Sequence, residues 1–530
     1  MPAIALTSQP ASVLAWSPAA LLARLEAIFD RAFGPRVNPL RHLGALGFYL
    51  FFVVVGTGVW LYAAFDTSVA GAYRSVEQIA QNAWPLGGFS RSVHRYASDA
   101  FAVVVALHLA REWLNGHAKG FRWFSWLTGV PLVGLVLASG IGGFWLVWDR
   151  VAQFSLIATT EWLGALPFFG EPLVRNFVAN GVVTNRLFSL LVFLHIGIPL
   201  FLLLAMWVHV KRIARPRTLP PRSLALGFAA ALTLLALVAP VRSDAEADLD
   251  VAPSHLALDW LYLGAHPLQY ATSPATLWIV VLGASLALAL LPWLPPARRA
   301  PAARVDLANC NGCGRCFDDC PYVAVTLRPR TDGRALPREA VVDPQLCAAC
   351  GICAGACPSS TPFRSTQILR SGIDLPQHSI GAVRDELDVA LASLRGTPAL
   401  VVFGCDCSSS VGAVQGADTA TMSLPCTGML PPSFVEYALR AGADGVLVTG
   451  CREGDCAYRL GDRWTVERFA GRRAPHLREN VARERVRIAW SGRFDAPGLR
   501  ASIDRFREDL RTLSPDRARG SIKRKVTSHA

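Results

Sequence analysis

Long apolar segments fill the first 297 residues and constrain the fold of this chain more than any other feature. Six of them run approximately over residues 43–64, 94–114, 126–148, 187–210, 223–241 and 275–294. A helix of about 20 apolar residues crosses the roughly 30 Å hydrocarbon core of a bilayer. Within that core only helices and closed barrels satisfy every backbone hydrogen bond. Residues 42–297 are therefore predicted to form a six-span transmembrane helical bundle.

The charges between these segments predict their direction. The loops at 111–122 and 211–222 are rich in Arg and Lys, whereas the loop after Val241 carries Asp244, Glu246, Asp248 and Asp250. Because basic loops stay on the cytoplasmic side, we expect a multi-pass protein of a bacterial-type cytoplasmic membrane with both termini in the cytoplasm. Much of the net charge of +13 flanks apolar segments, so it indicates membrane topology and no nucleic-acid partner.

Residues 1–41 are predicted to be an N-terminal segment without the pattern of a cleavable signal peptide. Wound as a helix, residues 21–33 separate two kinds of side chain: Arg24, Glu26, Asp30 and Arg31 on one side, and Leu21, Leu22, Leu25, Ile28, Phe29 and Phe33 on the other. This pattern is typical of an amphipathic helix that lies on the membrane surface.

Two of the predicted spans each carry a pair of histidines 14 positions apart, His94 with His108 and His195 with His209. Fourteen residues make nearly four helical turns, so each pair shares one helix face about 21 Å apart along the axis. One predicted span lies between these two histidine-bearing spans in the sequence, so both cross the membrane in the same direction. His94 is therefore at the same level as His195, and His108 at the same level as His209. The pattern predicts two haems b with bis-histidine ligation. A lone histidine in a bundle is often an ordinary polar packing residue, but four in matched pairs favour haem ligands.

Glycines repeat the same spacing in the two other spans, Gly44 with Gly58 and Gly129 with Gly143. We predict that they leave side-chain-free gaps in which flat haem macrocycles pack. Small residues also serve simple helix packing, and that alternative remains open for the glycines alone.

These features resemble cytochrome b of the quinol:cytochrome c and plastoquinol:plastocyanin oxidoreductases over roughly residues 20–270. The similarity includes the sequence 91–95 around His94, both histidine pairs, both glycine pairs and the sequence 143–149. It implies haem ligation by the four histidines and quinone as the substrate. At the family's Pro-Glu-Trp-Tyr motif this chain has Leu258-Asp259-Trp260-Leu261. Asp259 is therefore either a quinone proton acceptor or a solvated loop acid.

All 13 cysteines lie between Cys310 and Cys456, and eight of them form two tight runs. The first run holds Cys310, Cys313, Cys316 and Cys320, the second Cys347, Cys350, Cys353 and Cys357, and each ends in Cys-Pro. In two-cluster proteins the fourth cysteine of each run binds the other cluster. We therefore assign Cys310, Cys313, Cys316 and Cys357 to one [4Fe–4S] cluster, and Cys347, Cys350, Cys353 and Cys320 to the other. A zinc site would not explain two copies with the trailing Cys-Pro. Residues 302–372 resemble bacterial two-cluster ferredoxins of α+β fold.

Residues 380–513 alternate apolar strands with helices, which predicts an α/β domain with strands at 399–403, 445–449 and 486–490 and helices at 384–394, 432–441 and 497–513. Its cysteines follow strand ends: Cys405, Cys407, Cys426, Cys451 and Cys456. Loops at the carboxyl edge of such a sheet converge, so four of the five thiols can hold a [2Fe–2S] cluster. Zinc and a redox-active disulfide remain alternatives on spacing alone.

Three stretches of this last domain, 425–428, 442–448 and 450–458, resemble the delta subunit of methyl-viologen-reducing hydrogenase. The resemblance implies a [2Fe–2S] cluster and electron transfer with a heterodisulfide-reductase-like flavoprotein. The spacing at Cys405 and Cys407 departs from that family, which leaves open which of the two is a ligand. Residues 514–530 are predicted to be a solvated basic tail.

The sequence therefore predicts a membrane electron-transfer protein. Its path would link the quinone pool, through two haems b and the iron–sulfur clusters, to a cytoplasmic flavoprotein, hydrogenase or dehydrogenase subunit, with the lipid bilayer around its first half. Two alternatives remain: a membrane anchor without catalysis for a soluble redox complex, and a redox sensor.

Overall fold

The computed structural model describes residues 17–81, 86–167, 183–252, 255–294 and 300–513. These residues divide into two units, one made mainly of residues 17–294 and one mainly of residues 300–513. The predicted basic tail at 514–530 lies outside the described residues.

The first unit is helical. Several helices begin where a polar side chain accepts a hydrogen bond from a free backbone N–H of the first turn, as Ser17, Asp149, Thr184 and Ser273 do. The described helices are α1 Pro18–Phe33, α2 Leu43–Tyr62, α3 Ala72–Gln81, α4 Gly87–Leu114, α5 Trp123–Val147, α6 Arg150–Gly164, α7 Asn185–Val210, α8 Arg222–Val238, α9 Ala265–Ala271 and α10 Pro274–Leu290.

Two helix pairs carry the predicted haem residues. Helix α2 packs against α4, and α5 packs against α7. Their shared core contains Leu46 and Leu50 of α2, Phe101 of α4, Val136 of α5 and Leu202 of α7. The histidine-bearing helices therefore each lie against a glycine-bearing helix.

The prediction of six spans is wrong in number. Among the described residues, four helices are long and apolar enough to cross a membrane: Leu43–Tyr62, Gly120–Val147, Asn185–Val210 and Pro274–Trp293. Helix α4 is long enough to cross a membrane, but charged residues such as Arg95, Asp99 and Arg111 make it less apolar than those four helices. Helix α8 has 17 residues, or about 26 Å at 1.5 Å per residue. The four apolar helices still indicate an integral membrane protein.

The outer face of the span α7 is apolar and exposed in the isolated chain. Phe193 is 70% exposed and Leu200 66% exposed. Large apolar side chains in that position are expected where a helix faces lipid, since lipid replaces water as the solvent.

The amphipathic helix predicted at 21–33 is α1, which starts three residues earlier. Leu21, Ile28 and Phe33 are between 55 and 59% exposed. The opposite side is anchored by the buried Glu26, whose Oε1 accepts a hydrogen bond of 2.9 Å from Arg111 Nε of α4. An exposed apolar face on an anchored helix is what the predicted position at the membrane surface requires.

The second unit begins with the two cysteine runs. They lie beside two short antiparallel pairs of strands, β1 Arg304–Val305 with β4 Ile373–Asp374 and β2 Val325–Pro329 with β3 Arg338–Val342. Two short helices, α11 Arg315–Asp319 and α12 Ile352–Ala356, each begin just after the second cysteine of a run. The two helices pack on each other.

A four-stranded parallel sheet forms the rest of the second unit. Its spatial order is β6 Thr419–Leu424, β5 Leu400–Cys405, β7 Gly445–Val448 and β8 Val486–Ile488. The helices are α13 Ile380–Ser393, α14 Pro432–Arg440, α15 Gly461–Phe469 and α16 Ala496–Thr512. Because successive strand residues point to opposite faces, Val401 and Phe403 of β5 enter one core while Leu400 and Val402 enter another with α16.

The sheet agrees with the α/β class predicted for this domain, but two of its elements were missed. Strand β6 reads Thr-Ala-Thr-Met-Ser-Leu, and its small and polar residues give a weak strand signal. Helix α15 contains Gly461, Asp462 and four charged or polar positions around Trp464, so its apolar periodicity is also weak.

Candidate functional site

The four predicted haem histidines lie inside the first unit on facing helices. His94 of α4 and His195 of α7 face each other, with ring centroids 6.4 Å apart and ring planes at 69°. A metal–imidazole bond is about 2 Å long, so this separation leaves room for one metal ion between two facing nitrogens.

Each predicted glycine lies against one of these imidazoles. A Cβ built on Gly58 would be 3.0 Å from His94 Cε1, and one on Gly143 would be 3.0 Å from His195 Cε1. At the other level the distances are 3.5 Å from Gly44 to His108 Cε1 and 3.1 Å from Gly129 to His209 Cε1. Each glycine thus lies against an imidazole ring, and its role in packing a haem macrocycle stays a prediction.

Hydrogen bonds fix the orientation of three rings. His94 Nδ1 lies 3.0 Å from the carbonyl oxygen of Val54, and His195 Nδ1 lies 3.0 Å from that of Ser139. His209 Nδ1 lies 3.2 Å from Thr128 Oγ1. Because a carbonyl oxygen only accepts, Nδ1 of His94 and of His195 donates, and Nε2 is left free to bind a metal.

Asp259 lies in a network of charged and polar side chains. Its carboxylate forms an ion pair with Arg95, and Arg95 also pairs with Asp99. Asp259 Oδ1 accepts a 2.8 Å hydrogen bond from the backbone of Tyr262, and the Arg95 guanidinium lies 4.8 Å from the Phe144 ring centroid. Asp259 is thus a paired, mostly buried carboxylate with a side chain 19% exposed, and its partner Arg95 lies beside aromatic rings.

The structure brings together the four cysteines predicted for the first [4Fe–4S] cluster. Cys310, Cys313, Cys316 and Cys357 line one small cavity with Gly312 and Gly314. The cysteine from the second run, Cys357, therefore lies among the first three thiols of the first run.

The second predicted set likewise combines three cysteines of the second run with Cys320 of the first run. After burial, the groups that raise the pKa of Cys353 are the neighbouring thiols of Cys350, Cys347, Cys320 and Cys316. Three backbone N–H groups point to sulfurs of this set: those of Ala303 and Ala349 to Cys347 Sγ at 3.5 and 3.4 Å, and that of Ala324 to Cys320 Sγ at 3.3 Å. Such N–H donors are a known influence on the properties of cluster sulfurs.

The thiols fit a cationic cofactor. Burial, followed by the neighbouring thiols of Cys357, Cys313 and Cys310, raises the pKa of Cys316 to about 12. Burial also raises the pKa of Cys353 well above its usual range. Four such groups ionise together only when positive metal centres offset their mutual repulsion.

The last five cysteines meet at the carboxyl edge of the parallel sheet. Cys405 ends β5, Cys426 follows β6, and Cys451 and Cys456 follow β7. Cys405 Sγ lies 3.7 Å from Cys451 Sγ, and Cys456 contacts both Cys451 and Cys426. This edge, between β5 and β7, is where the strand order reverses and where such sheets bind ligands.

Cys407 is less buried than the other four thiols, although its side chain contacts that of Cys405. Its backbone N–H donates to Cys405 Sγ at 3.3 Å, and it is only partly buried. The other four, Cys405, Cys426, Cys451 and Cys456, are 9% exposed or less. All 13 cysteines are free thiols in this structure.

No three His, Cys, Asp or Glu side chains in the described ranges are close enough to hold a single metal ion. In a [4Fe–4S] cluster each of the four thiolates binds a different iron, and in a [2Fe–2S] cluster two thiolates bind each iron, so the ligands of such clusters do not all converge on one ion.

Several residues that shape these sites were not predicted. Val54 and Ser139 act through backbone carbonyls, and no side-chain pattern marks such a role. Arg95 lies next to His94 in the sequence, but its partner Asp259 is 164 residues away, so one sequence alone does not connect them.

Three sequence families match this chain in succession. Residues 28–215 match Cytochrome b/b6/petB, residues 309–361 match the 4Fe-4S dicluster domain, and residues 401–514 match the methyl-viologen-reducing hydrogenase delta subunit. All three resemblances inferred from the motifs are confirmed, in the predicted order. The first implies haem b and the second iron–sulfur clusters.

One similar solved structure is a chain of "Hyperthermophilic respiratory Complex III". It is 19% identical, covers 51% of this chain and 81% of its own length, and has a TM-score of 0.41. The three family regions and the four apolar helices together make this chain a membrane electron-transfer protein.

Proposed function

We propose that this chain carries electrons between the quinone pool and a cytoplasmic redox partner, through two haems b, two [4Fe–4S] clusters and one [2Fe–2S] cluster. The observation that carries the proposal is the one-to-one contact of four histidines with four glycines, in the same protein as three sets of converging cysteines. The haems supply one-electron redox centres within the membrane, and the clusters supply them outside it.

For the membrane half, the proposed ligand pairs are His94 with His195 and His108 with His209. The facing rings of the first pair and the Nδ1 hydrogen bonds support bis-histidine ligation, in which no iron coordination position stays open for substrate. The imidazoles fit between the helices because each lies against a residue without a side chain: Gly44, Gly58, Gly129 or Gly143.

For the second unit, Cys310, Cys313, Cys316 and Cys357 hold one [4Fe–4S] cluster, and Cys347, Cys350, Cys353 and Cys320 hold the other. The [2Fe–2S] ligands are Cys405, Cys426, Cys451 and Cys456. The deeper burial of these four thiols supports that choice over Cys407, which contacts Cys405 but is only partly buried.

Asp259 is the proposed proton acceptor for quinol at the membrane surface. The Arg95 guanidinium that pairs with Asp259 lies over the Phe144 and Tyr262 rings, so a proton-accepting carboxylate and rings on which a quinone can pack meet at one site. Arg95 orients the carboxylate and keeps a positive charge next to it.

The proposed partner is a soluble flavoprotein, hydrogenase or dehydrogenase subunit that docks on the second unit in the cytoplasm. That side of the membrane follows from the basic loops and from cysteines that stay reduced. Proteins that co-purify with the chain from its native membrane identify the partner directly.

The test is reduction of haem by quinol in isolated anaerobic membranes. The proposal expects b-type absorption bands that appear on addition of quinol, and His108→Ala is expected to lose one haem by pyridine haemochrome assay. His255→Ala, an exposed histidine of the same unit, is the matched control and keeps both haems. A pure membrane anchor or a redox sensor predicts no quinol-dependent reduction.

A further inference from the structure

The junction between the second cysteine run and the last thiol site contains one fully buried guanidinium, that of Arg468 on α15. The residue is 0% exposed. It forms an ion pair with Asp319, which is also buried and directly precedes Cys320. An Arg side chain is always charged in a protein, so an intact ion pair lies inside this unit.

The same guanidinium binds the loops of both cysteine sites. Arg468 Nη1 donates a 2.7 Å hydrogen bond to the carbonyl oxygen of Gly428, two residues after Cys426. Arg468 Nη2 lies 3.4 Å from the carbonyl oxygen of Ile352, which directly precedes Cys353. One side chain therefore contacts three segments, each within two residues of a proposed ligand.

The two sites are close neighbours at this junction. Cys350 of the second run shares one buried cluster of side chains with Cys426, Cys456 and Trp464. A Cβ on Gly428 would lie 2.9 Å from Ile352 Cγ1, and one on Gly461 would overlap the sulfur of Cys426. Only glycine at these positions lets the two loops approach so closely.

The charge of Arg468 is only partly offset. Burial lowers the pKa of Arg468, while Asp319 and, more weakly, Cys426 oppose that shift. Asp319 also forms an ion pair with Arg473, whose side chain is 18% exposed. The backbone carbonyl of Asp319 accepts a 3.1 Å hydrogen bond from Trp464 Nε1. Arg468 Nε has no hydrogen-bond partner among the described residues.

We propose that Arg468 is a positioning residue shared by the second [4Fe–4S] site and the C-terminal [2Fe–2S] site. Its hydrogen bonds hold the cysteine loops of the two sites at a fixed separation, and its buried positive charge favours the reduced form of both centres. The inference rests on the proposed function, because it needs clusters at both sites. Reduction adds one electron to a site, and a nearby cation stabilises that added negative charge.

The negative charge of Asp319 is expected to lower the reduction potentials that Arg468 raises, so the two substitutions should shift the potentials in opposite directions. Arg468→Met removes the positive charge and is expected to disfavour reduction at both sites by about tenfold, a downward shift of about 59 mV for a one-electron couple. Asp319→Asn removes the negative charge and is expected to shift both sites upward. The double variant, Arg468→Met with Asp319→Asn, is expected to lie between the two single variants.

The measurement is a mediated redox titration of the full-length purified protein, followed by electron paramagnetic resonance of the reduced clusters. Arg511→Met, which removes an exposed arginine paired with Glu508, is the matched control and leaves every potential unchanged. Arg468→Lys keeps the charge and loses the planar fork, and it is expected to keep the potentials near those of the original protein.

The outcomes separate the two proposals. If the unsubstituted protein shows no [2Fe–2S] signal, the proposed function of that site fails. If all clusters are present and Arg468→Met and Asp319→Asn shift the potentials in the same direction or not at all, only the role of Arg468 is overturned. Breaking a buried ion pair can destabilise a fold, so Arg468→Met could lose its clusters. In that case Asp319→Asn decides: an upward shift of both reduction potentials supports the proposal, and any other result overturns it.

Discussion

Gly143 and His195 face each other across α5 and α7, and a side chain at residue 143 would begin 3.0 Å from the imidazole Cε1. That distance is shorter than ordinary van der Waals contact between carbon atoms. The glycine therefore limits where the imidazole can lie, and the carbonyl of Ser139, four residues earlier on the same helix, accepts a hydrogen bond from the ring.

Gly143→Val is expected to displace the His195 ring and to remove one of the two proposed haems. The added branched side chain cannot occupy the same space as the ring, and overpacking in a rigid helix pair is relieved by moving the softer group. The measurement is haem per protein by pyridine haemochrome assay. Gly134→Val on the same helix, where a Cβ would meet nothing within 4 Å, should keep both haems; equal losses in the two variants would contradict the role of Gly143.

Cys405→Ser is expected to abolish the [2Fe–2S] signal, whereas Cys407→Ser should retain it. Cys405 is 5% exposed and lies 3.7 Å from Cys451 Sγ, while Cys407 is partly buried at the rim of the site. The readout is electron paramagnetic resonance of the dithionite-reduced protein. The reverse result would exchange the two ligand assignments.

Asp259→Asn is expected to slow quinol-dependent haem reduction by about 10²-fold, the lower end of what a positioned general base contributes. The amide keeps the size of the side chain and loses the ability to take up a proton. Haem content should stay unchanged, since Asp259 contacts no proposed haem ligand directly. Asp250→Asn, in the same acidic loop region and exposed, is the control, and an unaltered rate in Asp259→Asn would identify Asp259 as a structural partner of Arg95 only.

Phe506→Ala is expected to destabilise the second unit by about 3–5 kcal/mol, since it empties a fully buried position under the parallel sheet. Urea unfolding of the full-length protein, followed through loss of iron–sulfur absorbance, gives the free energy of unfolding. Val389→Ala on α13, where the side chain is 72% exposed, should change it by no more than about 0.5 kcal/mol. Equal effects would mean that α16 does not support the sheet.

The three family resemblances were predicted correctly because spacing along one segment carries the information, whereas the ligand roles of the residues stay predictions. The histidines 14 residues apart and the two cysteine runs depend only on helical geometry and on loop chemistry, and the structure brings those residues together. The number of spans was wrong because α4 combines charges such as Arg95 and Asp99 with an apolar pattern, and because α8 has only 17 residues. Arg95 and Asp99 pair with each other, and Arg95 also pairs with the distant Asp259.

Contacts made by long-range packing were beyond reach. Nothing in the sequence around Arg468 connects it with Asp319, which lies 149 residues earlier. The carbonyl groups of Val54 and Ser139 orient the histidines without any chemical mark in the sequence. Strand β6 was missed because its place beside β5 is decided by pairing with a buried neighbour, and strand preference depends strongly on such context.

The position of the last thiols at three strand ends has a consequence for how the protein matures in the cell. Three of the proposed ligands of the first [4Fe–4S] site lie within one stretch of seven residues, from Cys310 to Cys316, and we expect them to capture iron soon after synthesis. Cys405, Cys426 and Cys451 come together only after β5, β6 and β7 have paired. We expect the C-terminal cofactor to be inserted late, so that its presence reports a completed sheet; pulse labelling with ⁵⁵Fe during synthesis would show simultaneous loading of all sites if this order were wrong.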